Sequence, residues 1–120
     1  MAKVTIDENT LTVALSLADK ILAAHGSLTI PLEHVVGASV EDQNAWTHMW
    51  HKVIGTSAPP FLMAGTFWLD GGLAFVEYHD GKKCLVIKTV HETYKEIVLQ
   101  PDAGQDPHSL ADEINKKVAA

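Results

Sequence analysis

The sequence predicts a mainly β protein with some α structure (α+β class), a small antiparallel barrel or sandwich of about seven strands with a C-terminal amphipathic helix. Residues 64–100 read as strand-like runs rich in β-branched and aromatic residues, separated by turn-like Asp and Gly clusters. Residues 1–40 add further alternating runs that can complete the sheet. After Asp106-Pro107, the remaining residues show the apolar spacing of one helix.

Length and composition predict one globular domain over residues 1–120, with 47% of residues apolar and 20% charged. No apolar run reaches the roughly 18 residues of a membrane-spanning helix. The opening MAKVTIDENT lacks the apolar core of a secretory signal, so we expect none. The single cysteine, Cys84, excludes an internal disulfide and fits a reducing compartment. We therefore expect a cytoplasmic protein.

The charge balance argues against two classes of partner. The net charge is −6, and all 9 basic residues are lysines, so the arginine fork that grips phosphate is missing. Nucleic-acid affinity depends largely on neutralising phosphates, and anionic membranes attract basic clusters. We expect binding to neither.

The N-terminal third predicts a hairpin and then a short helix. Alternating apolar residues on both sides of residues 7–9 favour a hairpin. Ser16 and Asp19 can cap a helix over residues 17–25, with Gly26 as its stop. Its predicted core face comprises Leu17, Ile21 and Leu22, and a distorted strand is the alternative. Residues 27–40 return to strand character, and Pro31 predicts an edge or a bend there.

The segment from 41 to 60 is the irregular part of the chain. Trp46, Met49, Trp50 and Val53 follow the i, i+3, i+4, i+7 spacing of one apolar helical stripe. They predict a helix over residues 45–54, with irregular strand and loop as the alternative. A Pro-rich segment then leads into the strands of residues 64–100.

Those strands predict a meander with tight hairpin turns at residues 70–72 and 79–82, where glycine admits positive φ. Residues 84–87 are apolar on both faces, as in the middle of a sheet. If Phe67 faces the core, alternation points Trp68 outward. In the last helix, the predicted core face comprises Leu110, Ala111, Ile114 and Val118.

Three stretches carry a family resemblance: SLTIPLEHVVGASV, GTSAPPFLMAGTFW and YKEIVLQPDAGQDPHSLADEI. They resemble segments of uncharacterised bacterial proteins with a pleckstrin-homology-like (PH-like) fold. The resemblance implies a PH-like barrel that often forms oligomers and has no assigned activity. The phosphoinositide site of eukaryotic relatives needs basic residues on the first hairpin, where this chain carries Asp7 and Glu8. We therefore expect no phosphoinositide binding.

Histidines suggest one candidate metal site. His48 and His51 share a predicted helix face at i, i+3, and His34 is a possible third ligand. Neither a cysteine nor a paired carboxylate completes the ligand set that zinc needs. The sequence therefore predicts no metal and no cofactor.

Candidate catalytic groups give little signal. Cys84 starts an apolar strand and is predicted to be a small buried hydrophobe. The sequence has no nucleophile-elbow serine and no glycine-rich phosphate loop. The acid pairs Glu41–Asp42 and Glu77–Asp80 read as solvent-facing turn acids. A non-enzymatic role is favoured.

Aromatic residues carry the functional hypothesis. The sequence predicts a module for protein–protein contact or self-assembly (a homo-oligomer), acting through an exposed sheet edge and residues 46–60. The alternative is a small-molecule binder or enzyme with a pocket in the same segment, and a third reading packs these aromatic rings into the core. The candidate binding residues are Trp46, His48, Trp50, His51, Phe61 and Trp68.

Overall fold

The computed structural model describes residues 2–23, 25–42, 51–58, 62–69, 72–80 and 82–119, without the side chains of residues 51, 52, 57, 58, 62 and 69. These residues form nine strands and two helices, which agrees with the predicted α+β class. No helix in this part of the chain is long and apolar enough to cross a membrane. The elements are β1 (Ala2–Ile6), β2 (Thr10–Leu15), α1 (Leu17–Ala23), β3 (Leu28–Pro31), β4 (Val35–Glu41), β5 (His51–Ala58), β6 (Leu62–Leu69), β7 (Gly72–Tyr78), β8 (Cys84–Thr89), β9 (Tyr94–Leu99) and α2 (Pro107–Ala119).

The strands form two sheets. A three-stranded sheet has the order β1-β2-β3, and a six-stranded sheet has the order β4-β8-β9-β7-β6-β5. The predicted first hairpin is confirmed, with Val4 opposite Val13. Its turn is held by Asp7, whose Oδ1 accepts hydrogen bonds from the backbone N–H groups of Asn9 (2.9 Å) and Thr10 (2.8 Å).

The predicted meander is confirmed at its first turn and wrong at its second. β6 and β7 form an antiparallel hairpin. β7 and β8 do not pair in the described sheet, because β9 lies between them and runs parallel to β7. Gln100, which follows β9, binds the residues after β7: its Oε1 accepts from the backbone N–H of His79 (2.9 Å) and its Nε2 donates to Asp80 (2.6 Å). The expected seven antiparallel strands are instead nine, with one parallel pair.

The helix α1 forms where residues 17–25 predicted one, but its buried face differs from the prediction. Leu17 and Ile21 are 75% and 71% exposed, whereas Asp19 and Ala23 are buried. The helix packs beside β5 and β6, and Thr56 donates a hydrogen bond to the carbonyl of Leu22 (2.7 Å). Of the predicted core face, Leu22 alone packs against the core, and the small Ala23 and polar Asp19 are buried in place of Leu17 and Ile21.

Pro31 has the predicted effect. β3 ends at Pro31 as an edge strand, and a single 3-10 turn over Leu32–His34 leads into β4. Proline lacks the N–H that would continue the ladder. The run predicted as strand over residues 27–40 is thus divided between the two sheets.

The predicted helix over residues 45–54 is wrong in its last turn. His51 begins β5, which pairs with β6 from His51 opposite Trp68 to Ala58 opposite Leu62. The β-branched Val53 and Ile54 suit a strand better than a helix, and strand pairing outweighs the helical spacing. Residues 43–50, which carry the rest of that prediction, lie outside the described residues.

The core lies on both faces of the six-stranded sheet. One buried cluster joins this sheet to the three-stranded sheet and α2, and includes Val13, Phe75, Leu85 and Ile114. The other face buries a second cluster around Phe67 and Tyr78. In α2, Leu110, Ala111 and Ile114 are buried as predicted and Val118 is partly buried. The predicted cap is also present: Asp106 accepts from the N–H of Ser109 (3.1 Å).

Candidate functional site

Of the six predicted binding residues, the structure describes the side chain of Trp68 alone. Trp68 is 56% exposed while its neighbour Phe67 is fully buried, which confirms the predicted alternation. In register, Trp68 lies between His51 of β5 and Leu73 of β7. The side chain of His51 lies outside the described part. Trp46, His48, Trp50 and Phe61 lie outside it entirely, so their predicted roles stay predictions.

Each sheet has two edge strands, and a side-chain amide caps one edge of each. On β4, the N–H of Ala38 donates to Oδ1 of Asn115, and Nδ2 of Asn115 donates to the carbonyl of Ala38, both at 2.8 Å. On β1, the N–H of Val4 donates to Oε1 of Gln105 (2.8 Å), and Nε2 of Gln105 donates to the carbonyl of Val4 (2.7 Å). Each amide therefore provides the donor and acceptor that a further strand would provide.

The two remaining edges differ in what they offer a partner. β3 has four residues and ends in Pro31, so it presents a short ladder. β5 has eight residues, and no side-chain amide caps it within the described residues. Among the residues that the structure describes, β5 is therefore the edge with the most backbone available for a further strand.

The backbone of β5 has a bulge and a glycine contact that shape this edge. The register with β6 shifts between Lys52 and Ile54, so Val53 is the inserted residue. Gly55 then lies opposite Gly65, with φ of +125° and +147°. A Cβ on Gly65 would lie 2.2 Å from the carbonyl oxygen of Ile54. The glycine pair lets β5 approach β6 closely just after the bulge.

Apolar side chains surround the uncapped edge. Val53 and Ile54 are 49% and 52% exposed on β5, and Trp68 is exposed on the adjacent strand. The exposed Leu17 and Ile21 belong to α1, which packs beside the same two strands. We call Val53, Ile54 and Trp68 with the backbone of β5 the β5 edge surface. Exposed apolar residues grouped in this way are typical of interaction sites.

A buried acid cluster, which the sequence did not predict, lies where α1 meets β7. Asp19 and Glu77 are almost fully buried. Nε2 of His79 lies 3.2 Å from Oδ1 of Asp19 and 3.1 Å from Oε1 of Glu77. The reading of Glu77 as a solvent-facing turn acid is wrong, because it belongs to β7 and points into the protein.

Burial, together with the nearby Asp19 carboxylate, raises the pKa of Glu77 to about 7, although His79 opposes the shift. Asp19, Glu77 and His79 each have one atom of a kind that can bind a metal ion, and these three atoms lie within 4.8 Å of one another. The imidazole of His79 therefore lies within hydrogen-bond distance of both carboxylates, and the carboxyl of Glu77 can hold a proton near neutral pH.

The other predicted reactive groups are engaged elsewhere. Cys84 is fully buried, as predicted, and burial raises the pKa of its thiol to about 12, so it stays protonated at neutral pH. Nδ1 of His34 lies 2.5 Å from Oε2 of Glu92. The predicted partners of His34 in a metal site, His48 and the side chain of His51, lie outside the described residues.

Comparisons with known protein families, with curated proteins and with solved structures found no match for this chain.

Proposed function

We propose that this chain is a non-enzymatic interaction module that self-associates by pairing β5 with β5 of a second copy. The observation that carries the proposal is the difference between the four sheet edges. Side-chain amides close β1 and β4, and β3 is short and ends in proline. β5 is long and, within the described residues, has no such cap. Uncapped edges are the usual sites of strand addition.

A second copy suits this edge better than an unrelated strand. Antiparallel pairing of β5 with itself makes a two-fold symmetric interface, in which every exposed side chain contributes twice. The strand HKVIGTSA contains no acidic residue although the chain has a net charge of −6. Two paired copies of β5 therefore place no acidic side chains against each other. Val53 and Ile54 would each leave water against the partner copy.

Sedimentation velocity tests the proposal with a matched pair of variants. Ile54 on β5 and Val36 on β4 are both β-branched, exposed apolar residues on edge strands, at 52% and 56% exposure. We expect the unmodified chain to dimerise as concentration rises to about 1 mM. Ile54→Glu should weaken the dimer at least about tenfold, because it places like charges on both sides of a sheet edge. Val36→Glu, on the edge that Asn115 caps, should leave the dissociation constant of the dimer unchanged.

Two results would overturn the proposal. One is a strict monomer at the highest concentration. The other is a dimer that Val36→Glu weakens as much as Ile54→Glu, which would place the interface elsewhere.

We also propose that the fold is PH-like and that the protein is cytoplasmic. Two sheets closed by a C-terminal helix support a relationship with PH-like domains. The parallel pairing of β7 with β9 is a departure that such a relationship has to accommodate. A single buried cysteine supports a cytoplasmic location. An experimental structure of the dimer would test both the strand order and the interface.

A further inference from the structure

A cleft lies between β3 and the chain that enters β9, and none of the residues that line it belongs to the β5 edge surface. Its volume is about 200 Å³. Leu28, Ile30 and Ile97 supply apolar walls, and His25, Tyr94 and Glu92 add polar atoms. All of these side chains belong to the described residues.

Three rings in tilted and edge-to-face contact fix one wall of this cleft. The ring of His25 lies 5.3 Å from that of Phe75 and 5.6 Å from that of Tyr94, and the rings of Phe75 and Tyr94 are also 5.6 Å apart. The hydroxyl groups of Tyr94 and Thr66 are 2.8 Å apart and share a hydrogen bond. Packing and hydrogen bonding therefore hold Tyr94 in place before any ligand arrives, which lowers the entropy cost of binding.

The polar groups of the cleft favour a ligand that donates hydrogen bonds. Nδ1 of His25 lies 2.7 Å from the carbonyl of Gly26. A carbonyl can only accept, so Nδ1 carries the proton, and Nε2 of the neutral ring is an acceptor. Glu92 contributes a carboxylate, of which one oxygen is engaged by His34. No lysine lines the cleft.

Size and charge together define the ligand. An engineered apolar cavity of about 150 Å³ in another protein holds benzene. A cleft of about 200 Å³ therefore has room for one ring and a short polar arm. The carboxylate of Glu92 and a net charge of −6 attract a cation and repel an anion. We infer that this cleft is a binding site for a small aromatic amine, with the ring between the apolar walls and the ammonium group near Glu92.

Three probes that share one ring test the inference: benzylamine, benzyl alcohol and benzoate, titrated into the full chain and followed by protein NMR. We expect benzylamine to bind with a Kd on the order of 1 mM or lower, benzyl alcohol more weakly and benzoate not at all. The shifting resonances should include the rings of His25 and Tyr94. Equal binding of benzylamine and benzoate would overturn the inference.

Two variants connect binding to this cleft. Thr93 lines it from an exposed position in the turn before β9, so Thr93→Trp should obstruct it without disturbing the core and abolish binding. Glu92→Gln should weaken benzylamine about three- to tenfold and leave benzyl alcohol unchanged, because it removes the charge alone. Glu113→Gln makes the same charge change on the exposed face of α2 and serves as the control. Benzylamine binding that survives Thr93→Trp would place the site elsewhere. A dimer weakened by Ile54→Glu has no bearing on this result, so the two proposals fail separately.

Discussion

Asn115 of α2 occupies the position of a neighbouring strand for Ala38 of β4. Its amide accepts the hydrogen bond of the Ala38 N–H and donates to the Ala38 carbonyl, each over 2.8 Å. A helix normally covers a sheet through its apolar face and leaves the backbone of the edge strand open. Here one polar side chain completes two backbone hydrogen bonds, so α2 closes the edge of the sheet as well as its core.

Replacing this amide tests its importance for the edge. Asn115→Ala should lower the free energy of unfolding by about 1 to 2 kcal/mol, because two hydrogen bonds to a partly exposed backbone are lost. Hydrogen exchange at the Ala38 amide should become faster, and urea unfolding would give the energy. Lys116→Ala changes the next, exposed residue of the helix and should alter neither quantity. Unchanged exchange at Ala38 would show that the amide does not protect this edge.

The buried carboxyl of Glu77 should make stability depend on pH. Its pKa is raised from an ordinary value of 4.5 to about 7, so the folded state holds the proton more tightly than the unfolded chain. The native state then loses stability as pH rises from about 4.5 to about 7, and the shift corresponds to about 3 kcal/mol. Glu77→Gln removes this ionisation. The free energy of unfolding of the variant, relative to that of the unmodified chain, should therefore be higher at pH 8 than at pH 4.5.

Urea unfolding at both pH values would measure this difference. Glu113→Gln, which changes an exposed acid of α2, should show the same pH dependence as the unmodified chain. A Glu77→Gln effect of equal size at both pH values would mean that Glu77 ionises alike in the folded and unfolded states.

The buried hydroxyl group of Tyr78 should lower the stability of the folded state, and the conservative change to Phe removes it. The residue is fully buried, and its Oη has no hydrogen-bond partner among the described residues. Burial, helped by the nearby Cys84, also raises the pKa of the phenol to about 12. Tyr78→Phe should leave stability unchanged or increase it by up to about 1 kcal/mol, because no hydrogen bond is lost.

Tyr94→Phe is the matched control for that measurement. The hydroxyl of Tyr94 is bonded to Thr66, so the same change should cost about 1 kcal/mol in thermal or urea unfolding. Equal effects at the two positions would indicate that the Tyr78 hydroxyl has a partner after all.

Local patterns in the sequence predicted the elements more successfully than their arrangement. Alternation predicted that Phe67 is buried and Trp68 exposed, and the Asp106-Pro107 pair predicted the start of α2. These features depend on a few neighbouring residues. The spacing of Leu17 and Ile21 suggested a core face for α1, but the helix instead buries Asp19 beside Glu77. Nothing in the sequence around Asp19 indicates that it contacts Glu77.

Long-range pairing was beyond the reach of those patterns. By composition, β7 and β9 are equally able to pair with β8. Tertiary packing therefore sets the parallel contact of β7 with β9. The amide of Asn115 is 77 residues from Ala38, and a polar residue on the wet face of a helix carries no sign of such a contact. The uncapped β5 edge became recognisable only when the caps on the other edges were known.

The amide of Gln105 caps β1 from 101 residues further along the chain. During synthesis, β1 and β2 leave the ribosome long before this glutamine does. The three-stranded sheet can pair early, but this part of β1 stays uncapped until Gln105 has emerged. Nascent chains on one messenger RNA are therefore exposed to strand pairing with each other through β1 until Gln105 binds Val4.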